Sequence, residues 1–286
     1  MDRRGATANY ARPKGLFEEV VEHATGAMDK DEYNLTSLRM DQNLGRMASY
    51  ILETYKPNFL SLHLPNLDGA QHASGREGTQ VARAMSGADH VIGEIYDAVK
   101  RAGIGEKTAI IVTGDHGFVS VHTSITPNIW LKDLGLEDKA FFFSTGGSAF
   151  LHVLEGNKEQ IVKKVKEGLK KLPLAQQSMF RIVEKTEMQA VQSDPRVSLA
   201  ISAMRGFSFS NERDGVLLTR KRGGKHGYFP DFHEIYTGFV AYGPGLAKGE
   251  QVQQIALEDI AVICADLLGI ELPEATGASY PGMFKE

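Results

Sequence analysis

Apolar residues along the chain fall into two spacings, one helical and one strand-like. From Gly15 to Ala27, Leu16, Val20, Val21 and Ala24 recur at helical intervals. Leu35 to Tyr55 repeats that spacing over a longer span. Leu38, Leu44, Met47, Ile51 and Leu52 form its stripe, and Pro57 stops it. Asn58 to Leu64 is a short apolar run, the pattern of a buried strand, and Pro65 to Asp68 follows as a loop. Beyond His72, Val81, Met85, Ala88, Ile92, Ile95 and Val99 mark the inner face of a long amphipathic helix closed by Gly103. Thr108 to Val112 is rich in isoleucine and valine, predicts a strand, and runs into Gly114-Asp115-His116-Gly117.

The texture changes after Phe150. Strands are predicted at Ser148 to Val153, Phe180 to Val183, Val197 to Ala203 and Val216 to Thr219, with a lysine-rich helix at Glu159 to Leu172. Glu234 to Tyr242 returns to the sheet pattern, Gly243-Pro244-Gly245 turns the chain, and Leu257 to Leu268 forms a last helix closed by Gly269. The alternation of strand, loop, helix and strand predicts an α/β domain across residues 1–286, with a small α+β insertion at about 150–222. In open α/β sheets the site is built at the carboxyl ends of strands.

With 42% hydrophobic and 24% charged residues the chain belongs with globular proteins, which sets aside disorder. The formal net charge of −4 gives no sign of a nucleic-acid groove, and the run Lys163, Lys164, Lys166, Lys170, Lys171 reads as a solvated helix face. Cys264 is the single cysteine, so no internal disulfide is possible, and a core-packing role is expected for it. No apolar stretch reaches the ~20 residues of a membrane span. Met1-Asp-Arg-Arg-Gly-Ala-Thr7 lacks the apolar middle of a signal peptide.

Three short segments carry the candidate chemistry: Asp68-Gly-Ala-Gln-His72, Gly114-Asp115-His116-Gly117 and Gly224-Lys225-His226-Gly227. Asp68, His72, Asp115, His116 and His226 together supply two carboxylates and three imidazoles, a donor set suited to a pair of divalent ions such as zinc. Two such ions are a recurrent means of cleaving phosphate esters. The glycines beside Asp115, His116 and His226 let the backbone turn both side chains of a neighbouring pair inward. His63 reads as a core imidazole, His122 as a residue able to line the site, and His152 and His233 as structural. Thr123, Ser124 and Thr126 are fallback nucleophiles only.

In order and context these segments resemble the alkaline phosphatase superfamily, and within it the nucleotide pyrophosphatase/phosphodiesterase (type I phosphodiesterase) branch. Leu60 to Asp68 and His72 to Gly75 are similar to that family's strand and D-x-x-G-H-x-x-G. Ile110 to Gly117 is similar to its strand and S-D-H-G, and Gly224 to Tyr228 to its G-x-H-G. Gln71 stands where the family usually has glycine, and Gly114 where it often has serine. The resemblance implies a mostly parallel sheet between helix layers and two divalent metal ions, expected to be Zn2+. Asp68, His72 and His226 would hold one ion, and Asp115 with His116 half of the second. It also implies a nucleophilic threonine or serine from an earlier strand, with no matching position here, so the catalytic residue is unassigned and the chain is expected to be a C-terminal portion. The implied substrate is a small phosphate ester, such as a nucleotide, and the implied compartment periplasmic or extracellular. A phosphomonoesterase, sulfatase or phosphonate hydrolase of the same superfamily, or a non-catalytic metal-binding remnant, are the alternatives. Tyr228, Phe229 and Phe232 either stack on a base or pack. The oligomeric state is open.

Overall fold

The computed structural model describes residues 11–26 and 38–285. In chain order the helices are α1 (Leu16–Val20), α2 (Leu38–Tyr55), α3 (Asn66–Ser74), α4 (Thr79–Arg101), α5 (Pro127–Asp133), α6 (Lys158–Lys170), α7 (Leu174–Gln177), α8 (Lys185–Ala190) and α9 (Asp259–Leu268). The strands are β1 (Ile110–Thr113), β2 (Val119–Ile125), β3 (Ala140–Ser144), β4 (Ser148–Val153), β5 (Phe180–Val183), β6 (Leu199–Ala203), β7 (Gly206–Phe209), β8 (Leu218–Arg220), β9 (Gly224–Lys225) and β10 (Phe239–Tyr242). A single π-helical turn, Val21–Thr25, extends α1, while Ala27 and Leu35 lie outside the described residues.

The chain forms two compact units. The first comprises the described residues up to Gly69, with Ala82–Asp115 and Thr237 onward. The second comprises Ala70–Val81 and His116–Tyr236.

In the first unit, β1 pairs with β10 antiparallel, from Ile110 opposite Tyr242 to Thr113 opposite Phe239. Leu246, Ile263 and Met283 form its buried apolar cluster, with Ile111, Phe239 and Ala241 packed against them. α9 ends as expected at Gly269, whose φ of 66° suits glycine. Cys264 on α9 is half-buried, and burial pushes its thiol pKa up. The buried face of α2 includes Met40, Asp41, Asn43, Ala48 and Leu52; of the expected stripe Leu52 is buried, while Leu44, Met47 and Ile51 are half-buried. The part of α4 in this unit buries Ala84, Val91, Ala98 and Val99, and Met85 is exposed. Small residues allow close approach here: a Cβ on Gly45 would stand 2.6 Å from Val91 Cγ1.

Two expectations for this unit are corrected. Asn58 to Leu64 is not a strand among the described residues, because a strand needs a ladder partner and none pairs with it there. His63, expected in the core, is exposed.

In the second unit, β3-β4-β6-β5 is a four-stranded antiparallel sheet. β3 and β4 are joined by Thr145-Gly146-Gly147, a link too short for a parallel crossover, so they must run antiparallel. Every residue of β6, a central strand, is buried. α6 is capped by Asn157, whose side chain accepts the Gln160 N–H at 3.0 Å, and packs Ile161, Val165 and Leu169 into the core. Beside this sheet, β2 pairs in parallel with β7 and antiparallel with β8 and β9. The α/β class stands, and the ladders of the described residues are mixed in direction, with β2 and β7 the parallel pair. Expected strands at 148–153 and 180–183 have those bounds, whereas β2, α5 and β3 went unread in the sequence.

Asp41 makes the first unit pH-sensitive. Its carboxyl is 1% exposed, and burial, the dominant influence, pushes its pKa up from 3.8 to about 6 against weaker lowering by the Asn66 N–H and the His63 charge. A carboxyl raised on folding adds stability that is fully present below its unfolded pKa and lost as pH rises through the folded one. The melting temperature relative to Asp41→Asn is therefore expected to fall between pH 4 and pH 7, as read by calorimetry on both proteins. A difference that stays level across that window would contradict it.

Candidate metal centre

Asp68 and His72 stand one turn apart on α3, which puts both on the same side of that helix. The expected loop at 65–68 is therefore already helical from Asn66. Asp115 follows the end of β1, and His116 begins the segment leading into β2. His226 follows β9, which is laid along Val119 and Ser120 of β2.

Within the second unit three imidazoles converge. The Nε2 atoms of His72 and His226 are 3.2 Å apart. His116 stacks on His226 with ring centroids 3.8 Å apart and planes 12° from parallel. The rings gather around Phe118, which is 1% exposed and lies edge-on to His72 at 4.9 Å, His226 at 5.2 Å and His116 at 5.5 Å. Phe118 is not among the candidates that the sequence motifs single out. Its signal is a large apolar residue directly after the Asp-His-Gly turn.

Backbone partners orient two of the rings. His72 Nδ1 lies 3.2 Å from the Gly224 carbonyl oxygen, and His116 Nδ1 lies 3.3 Å from that of Gly117. Since a carbonyl only accepts, each Nδ1 carries the proton in that hydrogen bond, leaving Nε2 with a lone pair. Ligating histidines are commonly held this way from their other nitrogen.

Close backbone contacts set these positions. Gly223 has φ +115°, and a Cβ there would meet the His72 carbonyl oxygen at 2.1 Å, while one on Gly224 would meet that of Gln71 at 2.6 Å. On the other side of His226, Gly147 N–H donates to the His226 carbonyl at 2.9 Å, and Thr145 Oγ1 donates to that of Gly227 at 3.0 Å. Gly117 N–H donates to the Ile235 carbonyl at 2.6 Å. Gly114, where the resemblance offers serine, faces Thr237 in the first unit, and a Cβ would fall 2.1 Å from its Oγ1.

Beside His72 and His226, still within the second unit, is an open cavity of about 270 Å³ lined also by Thr145, Ser210, Asn211 and Lys225. Its polar wall is cross-braced: Asn211 Oδ1 accepts the Ser144 N–H at 2.7 Å, and Ser210 Oγ pairs with Thr126 Oγ1 at 3.0 Å. Thr126 is itself buried.

The remaining candidates have structural partners. His122 Nδ1 is 2.9 Å from Thr123 Oγ1, and its ring lies edge-on to Phe207 at 5.0 Å. His152 stacks on Phe141, and His233 packs against Tyr236. Tyr228 and Phe229 are buried in the core, and Tyr228 donates its hydroxyl to the Phe207 carbonyl while packing on Phe232. Burial pushes the Tyr228 phenol pKa up. These aromatics pack, which closes the base-stacking option for Tyr228 and Phe229. Among the described residues no helix is long and apolar enough to cross a membrane.

The chain is 23% identical over 237 residues to rat ectonucleotide pyrophosphatase/phosphodiesterase family member 7, covering 80% of this chain and 51% of that protein. Against rat family member 1 the identity is 24% over 285 residues, covering 93% of this chain and 28% of the relative. The chain thus spans about half the length, or less, of these curated relatives. Human ectonucleotide pyrophosphatase/phosphodiesterase 5 superposes with a TM-score of 0.67 at 18% identity, covering 86% of this chain and 63% of that one. An inactive form of the murine protein in complex with AMP superposes with a TM-score of 0.66 at 20% identity, with the same coverages. These structures share the α/β fold. Residues 5–229 match the family model for type I phosphodiesterase / nucleotide pyrophosphatase, and the chain belongs to that family.

Proposed function

We propose that this chain takes part in metal-dependent hydrolysis of phosphate esters of the phosphodiester or nucleotide pyrophosphate type. In this reading Asp68, His72 and His226 hold one zinc ion, and Asp115 with His116 contributes to a second. The observation that carries it is the meeting of His72 and His226 at 3.2 Å between Nε2 atoms. Two nitrogens bound at about 2.0–2.1 Å to one tetrahedral zinc stand roughly 3.3–3.4 Å apart, so the residues fit the ion.

Bound zinc supplies Lewis acidity, offsetting charge on phosphoryl oxygens and lowering the pKa of a hydroxyl or water. The chain's own groups do the rest. Gly224 and Gly117 hold the Nδ1 protons of His72 and His116, which keeps Nε2 available as a donor atom. Phe118 backs all three rings edge-on and so would limit their rotation. Asp68, His72 and His226 would supply three protein ligands, the number typical of a catalytic rather than a structural zinc. Lys225, on the wall of the adjoining cavity, places positive charge where a phosphate oxygen would enter.

The relatives are named as nucleotide pyrophosphatases and phosphodiesterases, and one neighbour is in complex with AMP, which supports a nucleotide as substrate. Their description as ectoenzymes supports an extracellular site of action. We read residues of about 150–222 as an elaboration of the fold. The nucleophile is assigned to none of Thr123, Ser124 or Thr126.

Zinc content by elemental analysis, with rates on p-nitrophenyl diester, monoester and sulfate, tests the reading. Retained zinc and a preference for the diester are expected. Zinc retained without hydrolysis of any ester would favour a metal-binding role instead, and the absence of zinc would overturn the site.

A further inference from the structure

The chain makes unusual use of a carboxylate far from the ligand motifs in sequence. Asp41 lies on α2 at 1% exposure, on a buried side of the helix that also carries Met40, Asn43, Ala48 and Leu52. Its Oδ1 accepts the backbone N–H of Asn66 at 3.2 Å, and Asn66 is both buried and the first residue of α3. The first N–H groups of a helix have no partner within it and lie at the positive end of its dipole. A carboxylate is the strongest acceptor a protein can set there. Among the described residues the other oxygen, Oδ2, is buried with no hydrogen-bond partner, as is Asn43 Nδ2 nearby on the same helix. Burial resists ionisation of this group, so Asp41 is expensive to keep charged and gains little in packing that an apolar residue would not provide.

We propose that Asp41 is a positioning residue for the metal ligands of α3: by gripping the first N–H of that helix it fixes the turn carrying Asp68 and, one turn later, His72. The inference rests on the reading of those two residues as ligands. A grip on the first turn governs the helix's start and rotation about its axis, and rotation decides where both side chains point. The charge that acts on it among the described residues is that of His63, which is exposed and precedes α3 on the same segment.

Two variants test this. Asp41→Asn keeps the shape and one acceptor oxygen but removes the charge, and Asp41→Ala removes the acceptor. Hydrogen exchange on metal-free protein reads the grip directly. The amides at Asn66 and Leu67 are expected to exchange about fivefold faster in Asp41→Asn and more than tenfold faster in Asp41→Ala, the difference between a charge-assisted, a neutral and an absent hydrogen bond. Zinc affinity, from competition with a chromogenic chelator, is expected to fall in the same order. Exchange in α9 should be unchanged, and Asp41→Asn should melt no lower than the parent at pH 7, so that a general loss of stability is ruled out as the cause. If Asp41→Ala fails to fold, the Asn variant decides alone. Unchanged exchange at 66–67 with unchanged zinc affinity would overturn the proposal. A parent protein that binds no zinc, yet whose variants exchange faster at 66–67, would overturn the ligand reading while leaving the grip on α3 demonstrated.

Discussion

Replacing His226 with alanine is expected to abolish tight metal binding and with it any ester hydrolysis the protein performs. His226 is the imidazole that both others meet: it opposes His72 at 3.2 Å and stacks on His116 at 3.8 Å. Removing it takes one nitrogen from the His72 pair and opens a gap beside Phe118, so the two remaining rings lose their common neighbour. Loss of a partner that only orients a metal ligand costs 10–100-fold in affinity, so loss of a ligand should cost at least about 100-fold. Calorimetric titration with zinc measures this. Turnover on a phosphodiester should fall by a factor on the order of 10²–10³, the scale of removing one group that stabilises the transition state. His122→Ala is the control, for His122 is engaged with Thr123 and Phe207 and belongs to no part of the imidazole group. Retention of parental zinc affinity by His226→Ala would remove the central ligand from the assignment.

Gly223→Ala should be the most damaging small substitution in the second unit. The residue has φ +115°, and a methyl group there would stand 2.1 Å from the His72 carbonyl oxygen and 3.2 Å from its carbon. Neither atom can give way as a flexible side-chain tip would, because both belong to the backbone of α3. Gly223 also accepts the Val121 N–H at 2.9 Å, which ties it to β2 from the other side. The left-handed conformation alone costs roughly 1–2 kcal/mol for an L side chain. Forcing an extra methyl into filled space adds about 1–3 kcal/mol. A loss of about 3 kcal/mol is expected in urea denaturation, accompanied by weaker zinc binding as α3 is pushed away from Gly224. Gly215→Ala separates the two contributions, since Gly215 has φ +100° but nothing within 4 Å of its would-be Cβ. It should lose only the conformational part. Equal losses at the two sites would mean that the approach of Gly223 to His72 is not a constraint.

Much of this was written in local patterns. The helix at Leu38–Tyr55, the long helix ending near Gly103, the strands at 148–153 and 180–183 and the final helix closed by Gly269 follow from periodicity and capping, which act over a few residues. The candidate donors were legible too, because aspartate and histidine next to glycine after an apolar run is a local signal. What periodicity does not contain is the partner. Asn58 to Leu64 has the composition of a strand, yet strands exist only by pairing, and no described residue pairs with it. β2 was unread because His122, Thr123 and Ser124 broke its apolar run, while its ladders to β7, β8 and β9 supply the stabilisation its composition lacks.

The donor types, their order and the family were thus determined by the sequence alone. The tertiary structure decided that His72, His116 and His226 meet around Phe118, that Gly223 and Gly224 let α3 close on the strand bearing Lys225, and that a buried carboxylate grips the start of that helix. The physical reason is that each depends on contacts between residues far apart in the chain, 154 positions in the case of His72 and His226. Spacing along a chain sets which face of its own element a side chain occupies, while packing between elements sets what that face meets.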